Sequence, residues 1–314
     1  MIEVKHMTKK YGNFVAVEDI NFEIGEGEIV GLLGPNGAGK STTMNVITGF
    51  IEQTEGTVIV DGYDTLKKPK KAKREIGYMP EGVPLYSDLT VKEFISYMAE
   101  LRGIKGKELK ENVERALADT GLTEVQNKLN KNLSRGYKQR VSLAGTLVSN
   151  PKILILDEPT VGLDPKQVTE IRALIKKLGK NHTVIISSHI LSEISQICNK
   201  VIIINKGKII AVDTPENLEK KVDQSNSIYV TVEDKENKMQ NISEKLENIK
   251  EIELIQENED GTKKYQITAE KDIDVRKQIF EVFAKENIVI FELKKIDITL
   301  EDAFIKLIEE GGSK

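Results

Sequence analysis

The most constraining feature of this sequence is a glycine-rich segment that follows a short apolar run. The run covers Ile29–Leu33, and the segment after it has the spacing glycine, four residues, glycine, Lys40, Ser41. An apolar run, this spacing and then an amphipathic stretch (residues 42–47) are typical of a strand, a phosphate-binding turn and a helix. Glycines let backbone N–H groups converge on phosphate oxygens, and the start of the helix adds positive charge. The chain is therefore expected to bind a phosphate ester here.

Each part of this segment has a chemical reason to bind ATP and Mg²⁺. Lys40 can reach the β and γ phosphates, and Ser41 can supply an oxygen to Mg²⁺, which neutralises charge during phosphoryl transfer. A glycine-rich turn with a solvated lysine is the alternative, and the flanking strand and helix signals argue against it. The residues of this segment that we expect to contact the nucleotide are Gly34, Pro35, Asn36, Gly37, Ala38, Gly39, Lys40, Ser41 and Thr42.

A second apolar run ends in two acids, as an ATP-hydrolysing site requires. Residues 152–156 form a candidate buried strand, and Asp157 and Glu158 follow it directly. Asp157 is expected to hold Mg²⁺ through its water shell, whereas Glu158 is placed to polarise or orient the attacking water. Two surface carboxylates at the end of a strand are the alternative, which we would prefer if the glycine-rich segment were absent.

Short β-branched runs alternate with amphipathic stretches over residues 1–220. This alternation predicts an α/β domain with a mostly parallel sheet. The predicted strands cover residues 29–33, 152–156, 183–187, 201–205 and 209–212. The last two are spaced as a hairpin. Strand signals stop at Thr90, which forms a capping box with Glu93, so we expect a helical subdomain over about residues 85–148.

Residues 223–314 are rich in Lys, Glu, Asn and Ile and predict a small α+β accessory domain. Its predicted elements are strand 228–232, helix 238–248, strands 252–256 and 265–268, helix 275–286 and strand 289–294, with a closing helix over 300–308. This βαββαβ order is that of ferredoxin-like domains. It is compatible with ligand sensing, with dimerisation or with a plain scaffold. We favour the last two, because a fold alone does not assign a function.

Charge and hydropathy restrict the partners and the compartment. Residues 1–222 carry 32 basic and 28 acidic side chains, whereas residues 223–314 carry 14 and 22. An acidic last third argues against nucleic acid as a partner. No apolar run approaches the roughly 20 residues of a membrane span, and no leader is visible after Met1. We therefore expect the chain to stay in the cytosol, with its single Cys198 as core filler.

Together with four further segments, these motifs resemble the nucleotide-binding subunits of ABC transporters. The resemblance covers about residues 1–220 and implies the P-loop NTPase fold. Residues 133–140, Leu-Ser-Arg-Gly-Tyr-Lys-Gln-Arg, are similar to the signature sequence of that family. The commonest form of the signature has glycine at Arg135 and glutamine at Tyr137, and the family usually has glutamine at Glu81. The other residues that carry the resemblance are Tyr11, Leu163, Asp164 and His189.

The resemblance implies a role for each of these residues. Tyr11 would stack on adenine, a type of contact that is worth roughly 1 to 3 kcal/mol in proteins that bind nucleic acids. His189 would contact the γ phosphate. Asp164 would join the catalytic site from the loop after the acidic strand. Glu81 would face Mg²⁺ or the attacking water.

The resemblance also implies an assembly. In this family the signature of one subunit caps the ATP held by another, so Ser134 and Gly136 would complete the site of a second ATP-binding subunit, either an identical chain or a close relative. Opening and closing of the dimer would move integral membrane permease subunits through residues 83–86, Val-Pro-Leu-Tyr. The chain would then be cytoplasmic and peripheral on the inner face of the cell membrane.

The C-terminal end suggests the kind of transporter. Residues 299–304, Thr-Leu-Glu-Asp-Ala-Phe, resemble the ending of bacterial exporter ATPases that are encoded separately from their membrane subunits. The resemblance therefore implies an exporter, whose membrane subunit would select the transported substance. Two alternatives stay open: a soluble ABC-type ATPase that acts outside transport, and a nucleotide-dependent regulator whose acidic C-terminal domain senses a ligand.

Overall fold

The computed structural model of the chain describes residues 1–82, 85–222, 226–234, 239, 242, 245–258, 260–270 and 273–295. The backbone divides into two compact units, the first of which includes residues 1–215, whereas the second begins at Glu216. Each unit is described by itself. Among the helices in the described part of the chain, none combines the length and the apolar composition that crossing a bilayer requires.

The first unit alternates strands and helices as the sequence predicts. Its elements are β1 (Ile2–Tyr11), β2 (Phe14–Ile24), β3 (Ile29–Leu33), α1 (Lys40–Ile47), β4 (Glu55–Val60), β5 (Tyr63–Asp64), α2 (Pro69–Glu75), β6 (Ile76–Met79), α3 (Val91–Leu101), α4 (Gly106–Thr120), α5 (Arg135–Leu147), β7 (Ile153–Leu156), α6 (Pro165–Leu178), β8 (Thr183–Ser188), α7 (Leu191–Ser195), β9 (Lys200–Asn205) and β10 (Lys208–Asp213). Two 3₁₀ turns, Thr123–Val125 and Asn130–Asn132, lie between α4 and α5.

The central sheet has the strand order β10-β9-β3-β8-β7-β6. Neighbouring strands from β9 to β6 are parallel, and β10 pairs with β9 as an antiparallel hairpin. Every residue of β3, β7 and β8 is buried, as expected for parallel strands that are covered on both faces. Because these strands are parallel, the loops that follow β3, β7 and β8 all emerge at one edge of the sheet.

A second sheet, β2-β1-β4-β5, is antiparallel and was not among the strands predicted from sequence. Its buried residues share one core with α1 and with the parallel sheet, as shown by Val4 of β1, Met44 of α1 and Ile155 of β7. This core holds α1 between the two sheets. The loop that precedes α1 is therefore anchored at both of its ends.

The helical subdomain consists of α3, α4 and α5, which share a core that includes Phe94, Leu117 and Val141. The predicted capping box is present at the start of α3. The N–H of Glu93 donates to the Thr90 hydroxyl at 3.3 Å, and the N–H of Thr90 donates to the Glu93 carboxylate at 2.8 Å. Residues 91–120 and 135–147 are thus mostly helical, in the region where strand signals stop in the sequence.

Within its described residues, the second unit has a four-stranded antiparallel sheet. Helix α8 (Pro215–Val222) leads into it, and its further elements are β11 (Asn226–Glu233), β12 (Ile249–Glu257), β13 (Thr262–Ala269), α9 (Arg276–Lys285) and β14 (Val289–Lys295). The strand order β12-β13-β11-β14 is that of a ferredoxin-like domain, and Val230, Ile267 and Phe283 lie in its core. Residues 238, 240, 241, 243 and 244 of the predicted helix 238–248 and the whole closing helix 300–308 lie outside the described residues.

Candidate active site

The phosphate-binding loop connects β3 to α1, and its shape requires glycine at two positions. A Cβ atom on Gly34 would lie 2.2 Å from the carbonyl oxygen of Ile204, so a side chain has no room there. Gly39, the residue before α1, has a φ of 106°, which side-chain-bearing residues rarely adopt. Among the described residues, no side chain caps α1, and the first N–H groups of a helix have no partners inside it. The loop therefore presents donors that suit an anion.

Lys40 lies in this loop with its ammonium group turned onto the backbone. Its Nζ donates to the carbonyl oxygens of Gly34 at 2.7 Å and Pro35 at 3.3 Å, and the residue is 6% exposed. The Glu158 carboxylate lies 3.6 Å from the same ammonium group. A buried cation is thus held at the loop, close to the predicted catalytic acid.

Asp157 lies at the end of β7 and is almost fully buried, with 4% of its surface exposed. Its N–H donates to the carbonyl of Met79 at 2.8 Å, and its Oδ1 accepts a hydrogen bond of 2.5 Å from the Ser187 hydroxyl. The Tyr78 hydroxyl donates to Oδ1 of Asn45 on α1 at 3.2 Å. Burial, reinforced by the negative charge of Asp157, raises the pKa of Tyr78 to about 12. The Tyr78 phenol therefore stays protonated at neutral pH.

Glu158 has an unusual backbone and a well-defined set of neighbours. Its φ of 46° is left-handed, a conformation that costs roughly 1–3 kcal/mol for residues other than glycine and is concentrated at functional sites. Its N–H donates to the Ser187 hydroxyl at 2.8 Å. Its carboxylate oxygens lie 3.1 and 3.2 Å from Nδ1 of His189. The predicted catalytic pair is therefore in contact within one chain.

The residues predicted to hold Mg²⁺ have suitable chemistry. Magnesium prefers oxygen ligands and is often bound by one or two carboxylates together with substrate phosphates. Ser187 occupies Oδ1 of Asp157, and the bonds that the described residues make leave Oδ2 without a partner. Ser41 is exposed in the first turn of α1 and lines a pocket with the phosphate loop. A hydroxyl oxygen and a carboxylate oxygen are thus both available for the ion.

This pocket is also lined by Tyr11, which is predicted to stack on adenine, and by Glu81, which is predicted to face Mg²⁺ or the attacking water. Tyr11 is 48% exposed and lines the pocket together with Glu81, Glu158 and the loop. Phe14, which pairs with Tyr11 across the β1–β2 turn, lines it as well and is 67% exposed. An exposed pair of rings beside a phosphate loop suits a flat base next to a triphosphate.

Comparison with known proteins identifies the family. A family model described as "ABC transporter" matches residues 17–161, and one described as "AAA domain, putative AbiEii toxin, Type IV TA system" matches residues 130–195. The bacitracin transport ATP-binding protein BcrA of Bacillus licheniformis is 34% identical over 314 residues, covering 99% of this chain and 98% of BcrA. This chain belongs to the ATP-binding proteins of ABC transporters. The predicted family is confirmed.

Two further comparisons show how much of each protein is shared with this ABC protein. The probable multidrug ABC transporter ATP-binding protein YbhF of Escherichia coli K12 is 38% identical over 219 residues, which are 69% of this chain and only 38% of YbhF. The dimeric structure of a post-hydrolysis state of the ATP-binding cassette MJ0796, bound to ADP and Pi, matches with a TM-score of 0.61 and 30% identity. That match covers 68% of this chain and 98% of the cassette. The predicted P-loop fold of ABC type is confirmed, and the family is one of ATPases.

The residues that resemble the ABC signature lie at the start of α5. The exposed Ser134 precedes this helix, and its hydroxyl accepts a long hydrogen bond of 3.4 Å from the N–H of Tyr137. The Arg135 guanidinium packs on Gly162, where a Cβ atom would lie 2.1 Å from it. Because Arg135 points into its own chain, it leaves Ser134 accessible. The residue at position 135 differs from the commonest form of the signature, but its side chain does not cover the start of α5.

Gly136 and Asp164 are the other residues predicted around the signature. Gly136 is buried, and a Cβ atom on it would lie 3.0 Å from the Gln167 side chain of α6. Asp164 precedes α6, and its Oδ1 accepts a hydrogen bond of 2.9 Å from the N–H of Gln167. Asp164 therefore caps a helix in this chain, and its catalytic role stays a prediction.

The structure brings most of the predicted site residues together within the first unit. The phosphate loop, Asp157, Glu158 and His189 form one group, and Ser134 and Gly136 line a separate pocket with Asp164. Val83 and Pro84, half of the segment predicted to contact the permease, lie outside the described residues, as does the exporter-like ending 299–304.

Sequence reasoning missed the site contacts of three residues. Phe14 could have been found as a second aromatic residue in the turn after Tyr11. Ser187 could have been found as a polar residue that ends an apolar strand. Gln139 lies in the segment that resembles the signature, but the sequence gives no signal that its side chain donates to the carbonyl of Pro159 at 2.8 Å and so ties α5 to the segment after Glu158.

Proposed function

We propose that this chain is the ATP-hydrolysing subunit of an ABC exporter, in which ATP closes a dimer and hydrolysis reopens it. The observation that carries the proposal is the position of Glu158, whose carboxylate lies 3.1 Å from Nδ1 of His189 and 3.6 Å from Nζ of Lys40. The three side chains come from the start of α1 and from the loops that follow β7 and β8, and they meet beside the phosphate loop. An acid that activates water, a γ-phosphate contact and a phosphate-binding cation are needed together for phosphoryl transfer to water.

Each of these side chains has a defined task in hydrolysis. Glu158 accepts a proton from the attacking water or orients it, and its contacts with His189 and Lys40 restrict its rotamers before ATP arrives. Lys40 now donates to two carbonyl oxygens, and phosphate oxygens are stronger acceptors for the same ammonium group. Mg²⁺, held by Ser41 and Asp157, would neutralise charge on the phosphates. ATP binding therefore replaces internal bonds of the loop with stronger ones.

The second half of the site would come from another ATP-binding subunit, either a second copy or a close relative. Ser134 is exposed and is only loosely engaged by its own helix, at 3.4 Å from the Tyr137 nitrogen. It lines a different pocket from the one that contains the phosphate loop. A partner that supplies its own Ser134 would complete both sites in a two-fold dimer, because each subunit gives a signature and receives one.

The link to the membrane would lie beside Glu81, on the inner face of the cell membrane. Tyr86 is 54% exposed, and its ring lies 5.5 Å from that of Tyr97, edge to face. Exposed aromatic residues are common at protein interfaces. The names of two relatives, which refer to bacitracin transport and to multidrug transport, support a role in transport. Export is supported by the resemblance of residues 299–304 to the ending of exporter ATPases.

The decisive test is Glu158→Gln. Without the acid, hydrolysis should fall by about 10²- to 10⁴-fold, the usual contribution of a general base, while ATP binding is retained. ATP should then hold the variant as a dimer, which size-exclusion chromatography with multi-angle light scattering would detect. Glu100→Gln, on the exposed surface of α3, is the matched control and should behave like the wild type. A Glu158→Gln protein that hydrolyses ATP at the wild-type rate and stays monomeric would rule out the mechanism.

A second experiment tests the link to the membrane. The wild type, purified from gently solubilised membranes, should retain an integral membrane protein, whereas Tyr86→Ala should retain less of it. Both proteins should hydrolyse ATP at the same rate when isolated, because Tyr86 does not line the nucleotide pocket. Membrane fractions that contain the chain with no integral protein bound would favour an ABC ATPase that acts outside transport.

A further inference from the structure

Ser187 is a polar residue at a position where the sequence pattern calls for an apolar one. It is completely buried in β8, and the three residues before it, Val184–Ile186 in chain order, are apolar and β-branched. Burying a hydroxyl is unfavourable unless it is hydrogen-bonded, so a serine in such a strand needs partners. Ser187 has two of them, and they belong to the two acidic residues at the end of the neighbouring strand β7.

The chemistry of the partners determines the direction of both bonds. The backbone N–H of Glu158 can only donate, so the Ser187 oxygen accepts at 2.8 Å. The Asp157 carboxylate, when ionised, can only accept, so the single hydroxyl proton of Ser187 points at Oδ1, 2.5 Å away. One hydroxyl group therefore engages both residues at once, and neither bond can be reversed.

The two bonds act on different properties of the site. The bond to Oδ1 orients the Asp157 carboxylate and leaves Oδ2 for an ion. The bond from the Glu158 N–H holds a backbone whose φ of 46° is unfavourable for glutamate. This backbone directs the Glu158 side chain toward His189 and Lys40. Loss of the Ser187 hydroxyl would thus remove one hydrogen bond from each of the two acidic residues.

We propose that Ser187 is a positioning residue that sets the geometry of Asp157 for Mg²⁺ and of Glu158 for water activation. The inference rests on the proposed function for the role of Glu158, whereas the role toward Asp157 concerns metal binding alone. Groups that orient a metal ligand typically change metal affinity or activity by 10- to 100-fold when they are removed. Ser187 would have this effect without touching the nucleotide.

The test compares Ser187→Ala with Ser187→Thr, which keeps the hydroxyl, and with Ser188→Ala. Ser188 is the adjacent buried serine of β8, and its hydroxyl accepts the N–H of Ile190 at 3.0 Å, so it controls for the loss of a buried hydroxyl. Binding of a non-hydrolysable ATP analogue would be measured by calorimetry during a Mg²⁺ titration, and again in EDTA. Hydrolysis rates would be measured in parallel at saturating Mg²⁺.

Ser187→Ala should need about tenfold more Mg²⁺ for half-maximal binding of the analogue, with unchanged affinity in EDTA, and should hydrolyse ATP at least tenfold more slowly at saturating Mg²⁺. Ser187→Thr should restore both properties to within about threefold, and Ser188→Ala should leave the Mg²⁺ requirement unchanged. The inference is overturned if Ser187→Ala lowers the melting temperature but keeps the wild-type Mg²⁺ requirement and rate. A wild type that binds Mg²⁺ and the analogue but does not hydrolyse ATP would instead contradict the proposed function, and the Mg²⁺ titration would still test the role toward Asp157.

Discussion

Two helices of the first unit begin in loops that are candidates for phosphate contact, and they begin in different ways. α1 follows Gly39, which is left-handed and offers no side-chain cap. α5 follows Ser134, whose hydroxyl already accepts the N–H of Tyr137, although at a long 3.4 Å. The first N–H groups of α1 therefore need an external acceptor, whereas one N–H of α5 is weakly satisfied by its own chain.

The side chains around the two helix starts also differ: charged groups are assembled at the start of α1, whereas the start of α5 stays open. Lys40, at the start of α1, lies 3.6 Å from Glu158, so cation and acid are assembled beside the loop within one chain. At the start of α5, the Arg135 guanidinium packs on Gly162, and Ser134 stays exposed. We infer that changes at α1 should affect nucleotide binding by a single subunit, whereas changes at Ser134 should matter only when two subunits meet.

The largest effect is expected for Lys40→Ala. A hydrogen bond from a charged group contributes about 1.5–3 kcal/mol, so ATP binding by the isolated subunit should weaken by about 10- to 100-fold. Fluorescent-nucleotide titration at low protein concentration would measure this. Lys92→Ala replaces an exposed lysine in the first turn of α3, whose start is closed by its capping box, and should bind ATP normally. Equal losses of ATP affinity in the two variants would show that the start of α1 has no particular role in ATP binding.

Gly34→Ala tests whether the shape of the phosphate loop depends on close packing. The new methyl group would lie 2.2 Å from the Ile204 carbonyl, and overpacking of this kind costs about 1–3 kcal/mol. Thermal or urea unfolding should detect the loss, and ATP should restore less stability than it gives the wild type. Gly25→Ala, which meets only the flexible Glu28 side chain at 3.3 Å, should be close to neutral.

Ser134→Ala should have an intermediate effect that depends on protein concentration. Hydrolysis should fall by about tenfold under conditions in which dimers form, because loss of a hydroxyl bond to a charged phosphate costs about 1.5 kcal/mol at the lower end of the usual range. ATP binding by dilute monomers should not change. Thr90→Ala removes a helix cap of the same kind from α3, so it should lose stability but no activity. Weaker ATP binding by Ser134→Ala monomers would contradict the assignment of Ser134 to a partner's site.

The smallest effect on stability is expected at Asp164, where a helix cap and a predicted catalytic role can be separated. Asp164→Ala removes the bond to the Gln167 N–H and should cost about 1 kcal/mol of unfolding free energy. Asp164→Asn keeps a capping oxygen and should unfold like the wild type. If Asp164→Asn is stable but hydrolyses ATP more slowly, the carboxylate has a catalytic role beyond its cap. Wild-type ATP hydrolysis by Asp164→Asn would show that Asp164 serves to cap α6 and has no catalytic role.

The helix starts also show where prediction from sequence succeeds. The spacing at Lys40 and Ser41 and the box at Thr90 and Glu93 are local patterns, and local backbone geometry follows from them directly. The parallel strands β3, β7, β8 and β9 were found because buried strands are continuous apolar runs. The parallel strand β6, Ile76–Met79, was missed because Gly77 and Tyr78 interrupt its apolar run. The sheet that contains β1 and β2 was missed because its strands mix buried and exposed residues irregularly, with register shifts after Val4 and Met7.

The sequence by itself determined the chemistry of this protein: the phosphate loop, the acids at the end of β7 and the order of elements that places them at one edge of a parallel sheet. Only the tertiary structure decided which side chains meet. Ser187 is 29 residues from Glu158 along the chain, and only the pairing of β7 with β8 brings its hydroxyl to both acids. Spacing along a chain encodes local geometry, whereas contacts between distant residues depend on how the sheet aligns its strands.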